Sequence, residues 1–215
     1  DDIASGKILA IELISLLRDQ LEAFVAAGKP VIGICNGFQV LVKTGLLPFG
    51  NIGSQRTTLT SNASGHFECR WVDLAVSDNN PCVWTRGFQD RTISLMVAHG
   101  EGKFLAPYEF TLGPLVALYY VSPEGRAESD DYPFNPNGSP LGIAGVCNQA
   151  GNVFGLMPHP ERFVRREQHP NWRRLPYSAK RSAKANQRRH RYNLSCFLFL
   201  GREKLLIRNP NDLFQ

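Results

Sequence analysis

Apolar and polar positions divide the chain into segments of two periods. From Ile8 to Ala27 the apolar residues Leu9, Leu13, Leu16, Leu17, Leu21, Phe24 and Val25 recur at helical spacing. Gly28 and Pro30 then stop the helix. Val31 to Ile34 is a short, wholly apolar run, the pattern of a buried strand. A second helical pattern follows at once, with Phe38, Val40, Leu41 and Leu46 as its apolar positions. Helix, strand, helix in this order predicts an α/β protein.

Further on, strand-like runs dominate. Thr57 to Val76 reads as extended, with His66 to Val72 in partial alternation and a turn at Asp78 to Pro81. Thr92 to Val97 and Val116 to Val121 are further strands, and the first runs into the polar loop His99-Gly100-Glu101-Gly102. Tyr132 to Pro140 is loop by its Pro, Asn and Gly content. Gly142 to Cys147 and Val153 to Met157 form a hairpin pattern about Gln149 to Asn152. After Phe163 the chain turns basic and aperiodic to Tyr192; Asn193 to Leu200 is apolar, and Arg202 to Asn209 has short-helix character before Pro210.

Composition narrows the classes. A chain of 215 residues with 43% hydrophobic content supplies one sizeable core. It shows no membrane-length apolar run and no secretory leader. The five cysteines form no Cys-x-x-Cys, which disfavours a disulfide framework or zinc site and suggests a reducing, cytoplasmic setting. The net charge of +5 is concentrated between Arg162 and Arg191, leaving the remainder acidic. Lys180 to Arg191 could neutralise several phosphates. It has neither a base-reading fold nor a stacking platform, so a solvated, disordered tail is the expectation and nucleic acid is not an expected partner.

The candidate chemistry sits where strand meets helix. Gly33-x-Cys35-x-Gly37 is the nucleophile-elbow pattern with sulfur in place of the serine oxygen. A helix N-terminus beside the sulfur is expected to lower the thiol pKa, and its free N–H groups to bind an oxyanion. Far downstream, Pro158-His159-Pro160-Glu161 supplies a base and an orienter. Pro160 disfavours helix at His159. In an extended chain residues two apart share a side, so Glu161 is expected to reach the imidazole. Cys35, His159 and Glu161 then make a thiol triad.

Four stretches together resemble one family: Gly33-Ile34-Cys35-Asn36-Gly37-Phe38-Gln39, Ala98-His99-Gly100-Glu101-Gly102, Asn135-Pro136-Asn137-Gly138-Ser139 and Met157-Pro158-His159-Pro160-Glu161-Arg162. The chain resembles, from Asp1 to about Arg174, the glutaminase component of phosphoribosylformylglycinamidine synthase, a triad-type glutamine amidotransferase. The resemblance implies a flavodoxin-like three-layer sandwich with a mostly parallel central sheet. It implies hydrolysis of glutamine to glutamate and ammonia, with the ammonia passed to a synthetase subunit or domain, a further small subunit completing some assemblies. That partner would use ATP and Mg to convert formylglycinamide ribonucleotide to the amidine; this chain would need neither cofactor nor metal. Cys35 would be the nucleophile, His159 the base and Glu161 its orienter. Asn36 would give an oxyanion N–H, Gln39 would contact glutamine, and His99 and Gly100 would touch substrate or partner. The alternatives are a triad amidotransferase serving another synthetase, or a catalytically silent fragment.

Family members carry a further segment ahead of the position of Asp1, with a strand and a glycine-rich loop, so the chain is expected to be N-terminally incomplete. The amidotransferase domain is expected over 1–174, an unmatched basic segment over 175–200 and a closing helix within 201–215.

Overall fold

The computed structural model describes residues 6–89, 91–107, 112–127 and 130–174. The expectations for 175–200 and 201–215 lie outside the described residues.

The first helix, α1 (Lys7–Ala26), ends as its sequence requires. Gly28 takes φ 72°, its N–H donates to the Val25 carbonyl, and Lys29 N–H donates to Phe24. That pair of bonds is a Schellman cap, and the left-handed residue it needs is a glycine. The predicted apolar face packs inward except for Leu16, which is 72% exposed. Leu17 leaves helical angles at φ −130°, so the face expected for a continuous helix does not carry through.

The strand β1 (Val31–Ile34) and the helix α2 (Asn36–Lys43) flank Cys35. The extended character expected over 57–76 is carried by two strands, β2 (Thr58–Thr60) and β3 (Glu68–Val76), with a turn between them. Next come β4 (Ile93–His99), β5 (Lys103–Leu105), β6 (Val116–Ser122), β7 (Gly125–Arg126), β8 (Ile143–Cys147) and β9 (Val153–Leu156). The main sheet runs β1-β9-β8-β6-β3-β4, with β7 beside β6; β2 and β5 pair separately.

The α/β class is as expected, but parallel pairing is narrower than the expected mostly parallel sheet. Among the described residues only β1 and β9 run parallel, with Ile34 opposite Leu156. The other pairings are antiparallel. Parallel neighbours need a long crossover, commonly helical. Among the described residues no α-helix follows α2, and β8 and β9 are joined by a hairpin-length turn.

Two apolar cores line the two faces. One joins α1 and α2 to Val31, Val116, Val146 and Val153. The other gathers Leu74, Val97, Tyr120, Cys147 and Phe154 under Cys82, Trp84 and Phe163. Both described helices therefore cover one face, while loop residues and Phe163 cover the other, so a helix layer on each face is not seen among the described residues.

The sheet is curled. His159, just beyond β9, forms an antiparallel bridge with Met96 on β4, at the far end of the strand order. Right-handed twist accumulated over several strands permits this approach.

The Asn148–Asn152 turn ties α1 to the sheet. Asn152 Nδ2 donates to the Val25 and Lys29 carbonyls at 2.9 and 3.1 Å, and Asn148 Nδ2 donates to Asn152 Oδ1. Asn152→Ala removes the side-chain donor from these part-buried carbonyls, of which Val25 keeps the Gly28 N–H, and is expected to lower stability by about 1 kcal/mol. Urea titration reads this as a lower midpoint with the slope unchanged.

Candidate active site

Cys35 occupies a true elbow. Its φ is 52° and ψ −105°, a conformation that costs a non-glycine residue about 1–3 kcal/mol. The turn is tight enough that a Cβ on Gly33 would lie 2.5 Å from the Gly37 carbonyl oxygen and 2.6 Å from Leu41 Cδ1. Only glycine fits at 33. Cys35 N–H donates to the Leu156 carbonyl, which locks the elbow to β9.

The thiol is partly buried and donates to the Ala98 carbonyl at 3.8 Å. Burial raises the Cys35 pKa above its ordinary value; the Asn36 N–H and Arg162 pull it down, and Glu161 pushes it up. The net direction opposes the lowering expected from the helix N-terminus. A helix end contributes at most about 2 kcal/mol even when partly buried, and desolvating a thiolate outweighs that here. At rest the nucleophile is a thiol, so it requires a base.

His159 is buried, and its N–H donates to the Met96 carbonyl at 2.7 Å. Its Nδ1 lies 2.6 Å from Glu161 Oε1. Glu161 reaches it from a 3₁₀ turn over Pro160–Arg162, with His159 at the N-cap, rather than along an extended chain. A carboxylate on Nδ1 holds the proton there, so Nε2 keeps its lone pair. That Nε2 is buried and has no hydrogen-bond partner among the described residues. Strand β4 thus holds both groups: Met96 fixes the imidazole segment, and two residues on Ala98 meets the thiol.

The remaining predicted residues fall around this pair. Asn36 opens α2, with its backbone N–H toward the sulfur and its Oδ1 buried and unpartnered among the described residues. Gln39 is buried, not exposed, and its Nε2 donates to the Glu101 carbonyl at 2.7 Å, fastening the 99–102 loop to α2. Gly100 accepts from Asn62 N–H. His99 is buried at the end of β4; desolvation and the nearby His159 depress its pKa from 6.5 to about 4.

Asn62 escaped prediction because its polar turn carries no catalytic pattern. Its Oδ1 accepts from Gly102 N–H and faces His99 Nδ1, both at 3.0 Å. The Asn135–Ser139 stretch proves to be a buried brace: Asn137 Nδ2 donates to Tyr120 Oη, and Ser139 Oγ accepts from Phe104 N–H. Among the described residues no group of three or more His, Cys, Asp or Glu could hold a metal ion, and no helix is long and apolar enough to cross a membrane. The four described cysteines are free thiols.

A thiol on an elbow, an imidazole whose Nε2 has no partner among the described residues and a carboxylate on its Nδ1 are the groups that α/β proteins of the thiol-triad class use. Residues 1–193 match the model of the CobB/CobQ-like glutamine amidotransferase domain. The chain is 48% identical over 172 residues to phosphoribosylformylglycinamidine synthase subunit PurQ of Dehalococcoides mccartyi, covering 80% of this chain and 66% of the relative. It is 44% identical to the PurQ subunit of Treponema denticola, covering 76% of this chain and 67% of that one. A chain in the solved structure of PurLQS from Thermotoga maritima superposes with a TM-score of 0.59 at 34% identity, covering 80% of this chain and 68% of that one. The chain belongs to the glutamine amidotransferase family, in the group of PurQ subunits. It spans about two thirds of the length of these relatives.

The buried neutral His99 has a consequence for stability. Below pH 6.5 the unfolded chain binds a proton that folded His99 refuses down to about pH 4. The unfolded state then holds more protons, so stability falls as pH falls through this window. The His99 contribution to that loss is expected to reach about 3 kcal/mol. Urea titrations at pH 7 and 4.5 measure it, and His99→Gln should flatten the dependence.

Proposed function

We propose that this chain hydrolyses glutamine to glutamate and ammonia and hands the ammonia to a synthetase partner. The observation that carries this reading is the free, buried Nε2 of His159, oriented by Glu161 and held on the same strand as the Cys35 thiol. His159 Nε2 takes the thiol proton, and the sulfur attacks the side-chain carbonyl carbon of glutamine. The oxyanion that develops is met by the Asn36 N–H. The proton then passes from His159 to the departing nitrogen, ammonia leaves, and a glutamyl thioester remains. Water, deprotonated by the same nitrogen, attacks the thioester, and glutamate and the free thiol are restored. Glu161 stays ionised and stabilises the imidazolium at each stage. Gln39 acts by holding the 99–102 loop, while His99 and Gly100 line the substrate side.

The relatives carry the name of subunits of phosphoribosylformylglycinamidine synthase, and the solved neighbour is an assembly. We therefore assign the ammonia to that synthase: a partner subunit spends ATP, with Mg, on formylglycinamide ribonucleotide in purine biosynthesis, in the cytoplasm. An electrophilic glutamine analogue, a diazoketone, tests the site directly. Cys35 should be labelled stoichiometrically and protected by glutamine, as read by mass spectrometry. Cys35→Ser and His159→Ala should each lower glutamine turnover by at least about 10³-fold while remaining folded. Substantial turnover in Cys35→Ser would exclude the triad.

A further inference from the structure

His99 lies beside the site as a second imidazole, with a buried Nε2 that has no hydrogen-bond partner among the described residues. What that nitrogen offers depends on which ring nitrogen carries the proton, and its neighbour decides this. Asn62 cannot be flipped. Its Nδ2 donates to two main-chain carbonyls, His99 at 2.8 Å and His66 at 2.9 Å. Its Oδ1 accepts from Gly102 N–H at 3.0 Å. The oxygen is therefore the atom that faces His99 Nδ1 at 3.0 Å, and an oxygen there can only accept. Nδ1 must carry the hydrogen, and a neutral ring then leaves Nε2 as a lone pair. The ring is also fixed in place: a Cβ on Gly102 would lie 2.5 Å from its Nδ1 and Cε1. Asn62 N–H to the Gly100 carbonyl completes the clamp.

We propose that Asn62 is a positioning residue: it holds His99 as the Nδ1–H tautomer, so that Nε2 is a standing acceptor for an N–H donor of the bound amino-acid amide. The proposal rests on the glutaminase reading for its ligand, but not for its ring assignment. A buried acceptor without a donor is costly, and a substrate N–H removes that cost only when it enters. In the other tautomer, Nε2–H would confront that N–H donor to donor.

The test is a long-range ¹H–¹⁵N spectrum of the full chain, labelled in histidine, at pH 7. Wild type should show His99 protonated at Nδ1 and bare at Nε2. Asn62→Leu should lose that preference and lower kcat/KM for glutamine roughly tenfold, mainly through KM. An Nε2–H signal for His99 in wild type overturns the proposal even if no variant folds. So does an Asn62→Leu protein that keeps both the tautomer and the wild-type KM. If wild type shows the expected tautomer but neither turns over glutamine nor reacts at Cys35 with the diazoketone, the glutaminase reading fails. The assignment of a ligand to Nε2 falls with it, while the ring assignment stands on its own spectrum.

Discussion

The site depends on one main-chain contact, the hydrogen bond from His159 N–H to the Met96 carbonyl. In the strand order β1 and β4 are at opposite ends of the sheet. Curling brings the end of β4 to the segment that leaves β9, which is the parallel neighbour of β1. Nucleophile and base are therefore placed by backbone on two adjoining strands, and β4 is laid across both. Cys35 N–H to Leu156 and His159 N–H to Met96 are ladder-type bonds, made by groups that must be satisfied wherever they are buried. Placement of the reactive side chains thus follows from completing the sheet, without a separate set of contacts.

Desolvation sets the resting charge of the site. It raises Cys35, lowers His99, and in each case outweighs the local groups that would favour the ion. The formal charges stand at the edge, with Glu161 41% exposed and Arg162 beside it. A buried ion without a partner costs several kcal/mol, more than a helix terminus returns. The economical resting state is a neutral thiol near a neutral His99 ring. On proton transfer to His159, Glu161 is already in place at 2.6 Å to meet the imidazolium.

Local features were legible in the sequence where one residue type has a single physical use. Val31 to Ile34, Gly28 at the helix end, the elbow glycine at 33 and the hairpin about 148–152 are of this kind. Strand direction was not legible, because an apolar run carries the same pattern in parallel and antiparallel neighbours, and connection length is the only clue. The closeness of His159 to Glu161 does not come from an extended segment: Pro160 opens a 3₁₀ turn with His159 at its N-cap, and Glu161 meets the ring from within that turn. The direction of the Cys35 shift was missed since burial is a property of the assembled cores, while the helix end can be read from adjacent residues.

Asn62 shows where such reading stops. Nothing in Ser61-Asn62-Ala63-Ser64 signals more than a polar turn. Yet His99 to Gly102, with two glycines in four residues, has little conformational preference of its own and must be held from outside. Two carboxamides do this from different directions, Gln39 from α2 and Asn62 from the turn before β3. A carboxamide suits the task because it donates and accepts at once without bringing charge into a desolvated site. An aspartate or lysine in either place would add an ion that the surrounding core disfavours. The loop is therefore held by neutral groups, and the buried Nε2 atoms of His99 and His159 have no hydrogen-bond partner among the described residues.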